Sequence, residues 1–158
     1  MTLEEFTAKL NSSTFWREFT YSETRFSPRP KQQVELADGI VLIGSLAYVF
    51  QLKERTGATE DPEAEGKWFR NKVLGKATKQ IRDTLGYLSA HQSIQLTNTQ
   101  GHSLEVRGAE LSDIKKVIVF SATDALPRDC RETPFYVSDT AGVMHVIAAQ
   151  DYLGVLDT

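Results

Sequence analysis

The sequence predicts an α/β layered domain with a mixed central β-sheet flanked by helices. Three observations lead there. The runs IVLI at 40–43 and AYVF at 47–50 are continuously apolar, which suits strands covered on both faces better than a sheet with one wet side. Leu74, Ala77, Ile81, Leu85 and Leu88 recur at helical spacing within one long segment, the mark of an amphipathic helix. Two more apolar strands follow that helix, KKVIVFSA at 115–122 and VMHVIA at 143–148. Helices alternating with strands in this way point to a layered α/β architecture.

Taken in order, residues 2–10 form a short first helix. Leu3, Phe6 and Leu10 lie near one face and Thr2 serves as its cap. Residues 15–26 are polar-aromatic, and Phe19, Tyr21 and Thr24 suggest a strand. Pro28 and Pro30 then break regular structure, since neither has a backbone donor and each restricts its predecessor. Strands at 34–43 and 46–55 follow, and Gly44-Ser45 between them is a two-residue hairpin turn. Residues 56–66, acidic and with Pro62, read as a loop. The long helix runs over 67–91, and Gly75 and Gly86 allow a kink or break in it. Residues 93–97 and 103–106 pair as a second hairpin about the turn 98–101, and a last helix or turn begins at 151.

The 158 residues are read as one domain, 1–158. The last element begins close to the final residue, so the reading admits a fragment of a longer chain. With 41% hydrophobic and 25% charged residues the profile is that of a soluble globular protein. No apolar run reaches membrane-spanning length, and MTLEEFTAKL lacks a basic-then-apolar leader. Cys130 has no second cysteine to pair with, which fits a reducing cytoplasm. A net charge of -3 excludes a wholly basic nucleic-acid-coating protein but leaves room for a locally basic groove. His91, His102 and His145 are too scattered for a zinc site, and no Walker or dinucleotide fingerprint is present.

Chemistry enters through the polar residues of the first hairpin. Counting outward from Gly44-Ser45, Asp38 lands opposite Gln51, because residues equidistant from a hairpin turn face each other. Gln51 and Lys53 are two apart on one strand and share a face. A carboxylate, an amide and an ammonium thus converge at the open end of an apolar hairpin. A hard cation such as Mg²⁺, with Mn²⁺ as an alternative, takes oxygen ligands of the kind Asp38 and Gln51 offer. A lysine beside it is placed to orient water and to stabilise charge on a phosphate.

This pattern resembles the PD-(D/E)XK nuclease superfamily, in which an acidic residue ends one strand and a Glu-x-Lys or Gln-x-Lys triplet sits on the next. The matching residues are Asp38 and the triplet Gln51-Leu52-Lys53, and the glutamine form is most similar to the Mrr-type branch. The similarity extends to element order over 2–122, and no proline precedes Asp38. The resemblance implies a restriction-endonuclease-like core in α-β-β-β-α-β order and a metal-dependent nuclease hydrolysing phosphodiester bonds, more readily DNA. It implies Asp38 and Gln51 as metal ligands and Lys53 as the residue that positions water. A glutamate on the first helix completes the metal shell in several members; Glu5 is the first candidate, Glu18 the second, and Glu35 stands in reserve, facing away from Asp38 on a regular strand. Such nucleases often act as dimers, so a homodimer is an option.

On the long helix Lys72, Lys76 and Lys79 fall at i, i+4 and i+7, forming one basic stripe flanked by Gln80 and Arg82. Lys72, Lys76, Lys79 and Arg82 are the candidate phosphate contacts. Trp68 and Phe69, just ahead of them, are candidates for stacking on bases. The competing readings are an inactive nuclease-like module that binds nucleic acid or a protein partner in a defence or repair system, and a small-molecule α/β enzyme. The latter requires that Asp38, Gln51 and Lys53 stay apart.

Overall fold

The computed structural model describes residues 1–15, 17–22, 24–98 and 100–156, with 155–156 described by backbone alone. Thr99 of the predicted 98–101 turn and residues 157–158 lie outside them. Helix α1 (Leu3–Thr14) runs four residues further than its predicted end. Thr2 caps it by accepting from the Glu5 amide, and Glu5 accepts from the Thr2 amide in return. A 3₁₀ turn (Arg17–Phe19) leads into strand β1 (Thr20–Tyr21).

Strands β2 (Arg25–Arg29) and β3 (Gln32–Glu35) form a separate two-stranded ribbon. The prolines were expected to break regular structure, yet Pro28 lies within β2. The ribbon's register shifts between Phe26 and Arg29, and such an irregular ladder tolerates a missing donor. The predicted strand at 34–43 is also divided. Its first part belongs to β3, and its second is β4 (Gly39–Ile43) of the main sheet. Between them the backbone polar groups of Leu36 and Ala37 are taken up by two threonines, Thr24 and Thr84. Leu36 N donates to Thr24 O at 3.0 Å, and Ala37 N donates to Thr24 Oγ1 at 3.0 Å. The Thr24 hydroxyl donates to Ala37 O and the Thr84 hydroxyl to Leu36 O. Both threonines are buried.

β5 (Leu46–Lys53) pairs antiparallel with β4 through the two-residue turn, where Gly44 adopts φ +60°. Asp61 caps α2 (Pro62–Trp68), so the helix begins inside the predicted loop, with Pro62 at its first position. It continues without interruption as a π segment (Phe69–Lys76) and then α3 (Ala77–Ala90). Hairpin β6 (Ile94–Thr97) and β7 (Ser103–Val106) pairs as expected. β8 (Asp113–Phe120), a short α4 (Arg128–Arg131), β9 (Phe135–Ser138), β10 (Gly142–Ala148) and α5 (Ala149–Leu156) complete the chain.

The six-stranded sheet has the order β1-β4-β5-β8-β10-β9. β5, β8 and β10 are parallel neighbours, while β1, β4 and β9 run antiparallel to theirs. The sheet is therefore mixed, and both faces are covered. On one face Phe69, Val73, Ala77 and Ile81 of the long helix pack on Ile118, Phe120, Met144 and Val146. Further along it Leu88 meets Ala47, Val49 and Leu36. On the other face Leu3 of α1 and Tyr152 of α5 pack on Val41, Phe50, Val117 and Val119. Burying each such side chain stabilises the fold by ~1.5–3 kcal/mol. This double cover is why the hairpin strands read as unbroken apolar runs. No helix among the described residues is long and apolar enough to cross a membrane.

Candidate functional site

The hairpin register places the polar residues. Gly39 pairs with Phe50. One step beyond the strand, Asp38 N donates to Phe50 O at 3.2 Å, which sets Asp38 across from Gln51. The Asp38 carboxylate turns onto β5, where its Oδ2 accepts from Leu52 N at 2.6 Å and from Lys53 Nζ at 3.4 Å. Lys53 Nζ also donates to Gln51 Oε1 at 3.4 Å and to Leu52 O at 2.9 Å. The three polar side chains therefore form one cluster around a single ammonium. Alternation along β5 puts Phe50 and Leu52 on the α1 side and Gln51 and Lys53 on the α3 side.

The cluster is largely withdrawn from water. Gln51 is 1% and Lys53 8% exposed. Burial lowers the Lys53 pKa below its usual value, with Asp38 opposing the shift and Lys76 reinforcing it. Above Asp38 and Lys53 opens a cleft of about 520 Å³. Its floor is Asp38, Leu52 and Lys53, and its helical wall is Trp68, Lys72, Lys76 and Gln80. A smaller cavity of about 130 Å³ adjoins it, shared by Asp38, Gln51, Gln80 and Thr84. The Gln80 Oε1 is buried there with no protein hydrogen-bond partner.

A buried ion pair frames the far end of the cleft. Glu65 is fully buried. It accepts from Arg55 Nη2 at 2.7 Å and Nε at 3.0 Å, from Thr59 N at 3.1 Å and from Thr123 Oγ1 at 3.0 Å. These bonds, the one from Arg55 first, hold its pKa down at about 2. The Arg55 guanidinium in turn stands over the Trp68 ring, 5.5 Å from its centroid. The strand end at 53–55 and the start of α2 are thereby tied together beside the cluster.

Several expected site residues lie elsewhere. Glu5 does not line the cleft; its carboxylate closes the α1 cap, on the helix that covers the opposite sheet face. Glu18 sits in the 3₁₀ turn, also away from the cleft. Glu35, expected to face away from Asp38, joins it in the cleft because the chain bends between β3 and β4. Burial, Asp38 and then Glu4 raise the Glu35 pKa. Lys72 and Lys76 line the cleft, but Lys79 does not. The π segment keeps Lys72 in line with Lys76, whereas the three-residue α-helical step from Lys76 to Lys79 falls about 60° short of a turn and leaves the cleft face. Arg82 faces a separate groove beside Arg29 and His91 and pairs with Asp83 at 3.1 Å. Phe69 is 2% exposed in the core, which removes it as a stacking surface, whereas Trp68 remains on the wall. Gln80 gave one usable sequence signal: it lies four residues after Lys76, itself four after Lys72.

Asp38 supplies a carboxylate, and Gln51 and the Leu52 carbonyl supply neutral oxygens around the Lys53 ammonium. Among the described residues no group of three or more His, Cys, Asp or Glu side chains is placed to hold a metal. The three oxygens, Asp38 Oδ2, Gln51 Oε1 and Leu52 O, all accept from the Lys53 ammonium. The cleft combines a carboxylate and an ammonium on its floor, Asp38 and Lys53, with Lys72 and Lys76 on its wall. No family model, no curated protein and no solved structure matches the chain.

Proposed function

We propose that the protein is a restriction-endonuclease-like, metal-dependent nuclease that hydrolyses phosphodiester bonds in nucleic acid, DNA in the first instance, in the cytoplasm. The observation that carries the reading is the meeting of Asp38, Gln51 and Lys53 within 3.4 Å contacts in a cleft whose helical wall presents Lys72 and Lys76. Asp38 and Gln51 would hold Mg²⁺ or Mn²⁺. The cation, when bound, supplies charge neutralisation at the phosphate and acidifies water. Lys53 orients the attacking water and stabilises charge that develops on the phosphate. Its position between Asp38 and Gln51 fixes that ammonium before substrate arrives, so little reorganisation is needed during reaction. Lys76 holds the backbone at the cluster and Lys72 holds it one step further along the helical wall.

One observation favours the binding-module reading. Gln51 brings no charge, so the cluster offers a cation one carboxylate, with Glu35 nearby as the second. The test is cleavage of labelled single-stranded and duplex DNA and RNA with Mg²⁺, Mn²⁺ or a chelator. The nuclease reading expects metal-dependent products that fall by about 10²–10³-fold in Lys53→Ala, with binding retained. Folded protein that binds nucleic acid but cleaves none of these under either metal would establish the binding module instead.

A further inference from the structure

The π segment sets an unusual period along the long helix. In an α-helix, residues four apart drift by about 40° at each step, because four residues exceed one turn of 3.6. A π turn takes more than four residues, so the drift reverses through it. Between 68 and 81 the two effects offset, and residues four apart stay in line. The core records this directly: Phe69, Val73, Ala77 and Ile81 are all 2% exposed or less and pack in one cluster. One residue back along the chain is a second column, Trp68, Lys72, Lys76 and Gln80, and all four line the cleft. The core column thus fixes the cleft column.

Its chemistry is ordered from end to end. Gln80 and Lys76 stand at the Asp38–Lys53 cluster, where the Lys76 charge acts on Lys53. Lys72 follows, then Trp68, whose ring is held under Arg55, itself locked by Glu65. Successive members are separated along the axis by at most about 6 Å, within the span that flexible lysine side chains bridge to neighbouring phosphates of an extended strand. An aromatic ring at the end of a basic track accepts a base only if that base is unpaired.

We propose that this column is a track for one unpaired nucleic-acid strand: the scissile phosphate at Lys53 and Lys76, the next phosphate at Lys72, and the following base at the exposed side of the Arg55–Trp68 pair, whose ring also packs against the core. The substrate class is then a single strand or a single-stranded overhang. This rests on the nuclease reading for its scissile end, but strand binding along the column is measured without cleavage.

The experiment uses a Trp16→Phe background, which leaves Trp68 as the sole tryptophan, titrated in chelator with an oligothymidylate and with a blunt duplex. The single strand should quench Trp68 fluorescence and bind at least 10-fold tighter than the duplex. Lys72→Gln and Lys76→Gln should each weaken binding about 5–10-fold and lower the salt slope by about 0.7, the value of one single-strand phosphate contact. Lys79→Gln, a lysine exposed on the same helix but off the column, should change neither. All three lysines are exposed, so the fold tolerates the changes. Equal effects from all three variants, no Trp68 response, or equal binding of blunt duplex would each overturn the track. Cleavage activity alongside any of those results leaves the nuclease reading standing, whereas quench and salt slopes as expected without cleavage under any metal leave the track and remove the nuclease.

Discussion

The Glu65–Arg55 pair offers a prediction whose size follows from the structure. Glu65→Gln keeps the side-chain volume but removes the charge that Arg55, Thr59 and Thr123 converge upon. The Glu65 carboxyl has a pKa of about 2, against an ordinary 4.5. At about 1.36 kcal/mol per unit, the full shift corresponds to ~3 kcal/mol. Arg55 is 16% exposed on its side chain, and screening through that opening brings the figure to ~2–3 kcal/mol. For a chain of this length that is roughly 4–12 °C in Tm. The sign is fixed by the direction of the shift. A carboxylate depressed in the folded state contributes stability that is fully present above its unfolded pKa. That stability is lost as pH falls from about 4.5 through about 2. Thermal unfolding followed by circular dichroism should therefore show wild type well above Glu65→Gln at pH 7, and the two should converge as pH approaches 2.5. A Tm difference that stays constant from pH 7 to pH 2.5 would refute the argument, since the charge would then contribute nothing specific to the folded state.

Three further outcomes are expected. Asp38→Asn keeps an acceptor for Leu52 N but removes the anion beside the buried Lys53 ammonium, so it should lower stability by ~1–3 kcal/mol, while metal-dependent cleavage, measured well below its Tm, falls at least about 10²-fold; a folded variant that cleaves at the wild-type rate would show that Asp38 is not needed. Because burial lowers the Lys53 pKa below 10.5, cleavage that needs its charge should decline with rising pH before an ordinary lysine would titrate. Lys53→Arg should move that descending limb upward, and a pH–rate profile flat to 10.5 would contradict the assignment. A Cβ added at Gly108 would sit 2.2 Å from Leu88 O and 2.8 Å from Leu88 C, backbone atoms with no room to yield, so Gly108→Ala should cost more than about 2 kcal/mol, read as a fall in urea midpoint at unchanged slope.

The sequence by itself determined what local geometry controls. A two-residue turn at Gly44-Ser45 sets the β4–β5 register, and once that is set Asp38 must face Gln51, with Lys53 beside it. Apolar continuity in the same strands required cover on both faces, which α1 and α5 on one side and α3 on the other provide. Short-range periodicity carries such information because neighbours in sequence are also neighbours in space. β9 was missed for the matching reason: Phe135, Tyr136 and Val137 are all exposed on an edge strand, so no burial alternation marks it.

Only the tertiary structure decided who joins the cluster. Glu35 enters the cleft because Thr24 and Thr84 satisfy the backbone of Leu36 and Ala37 and so permit the chain to leave one sheet for another. Those partners are 13 and 48 residues away, beyond the reach of any pattern read along the chain. Glu5 was drawn instead to its own helix cap. The π segment is a compromise of the same kind, in which packing Phe69, Val73, Ala77 and Ile81 on one sheet face outweighs regular α winding. It carries Lys72 and Lys76 into the cleft and leaves Lys79 out. The pairing of strands is a local property of a turn, whereas the facing of a helix is settled by the core it must cover.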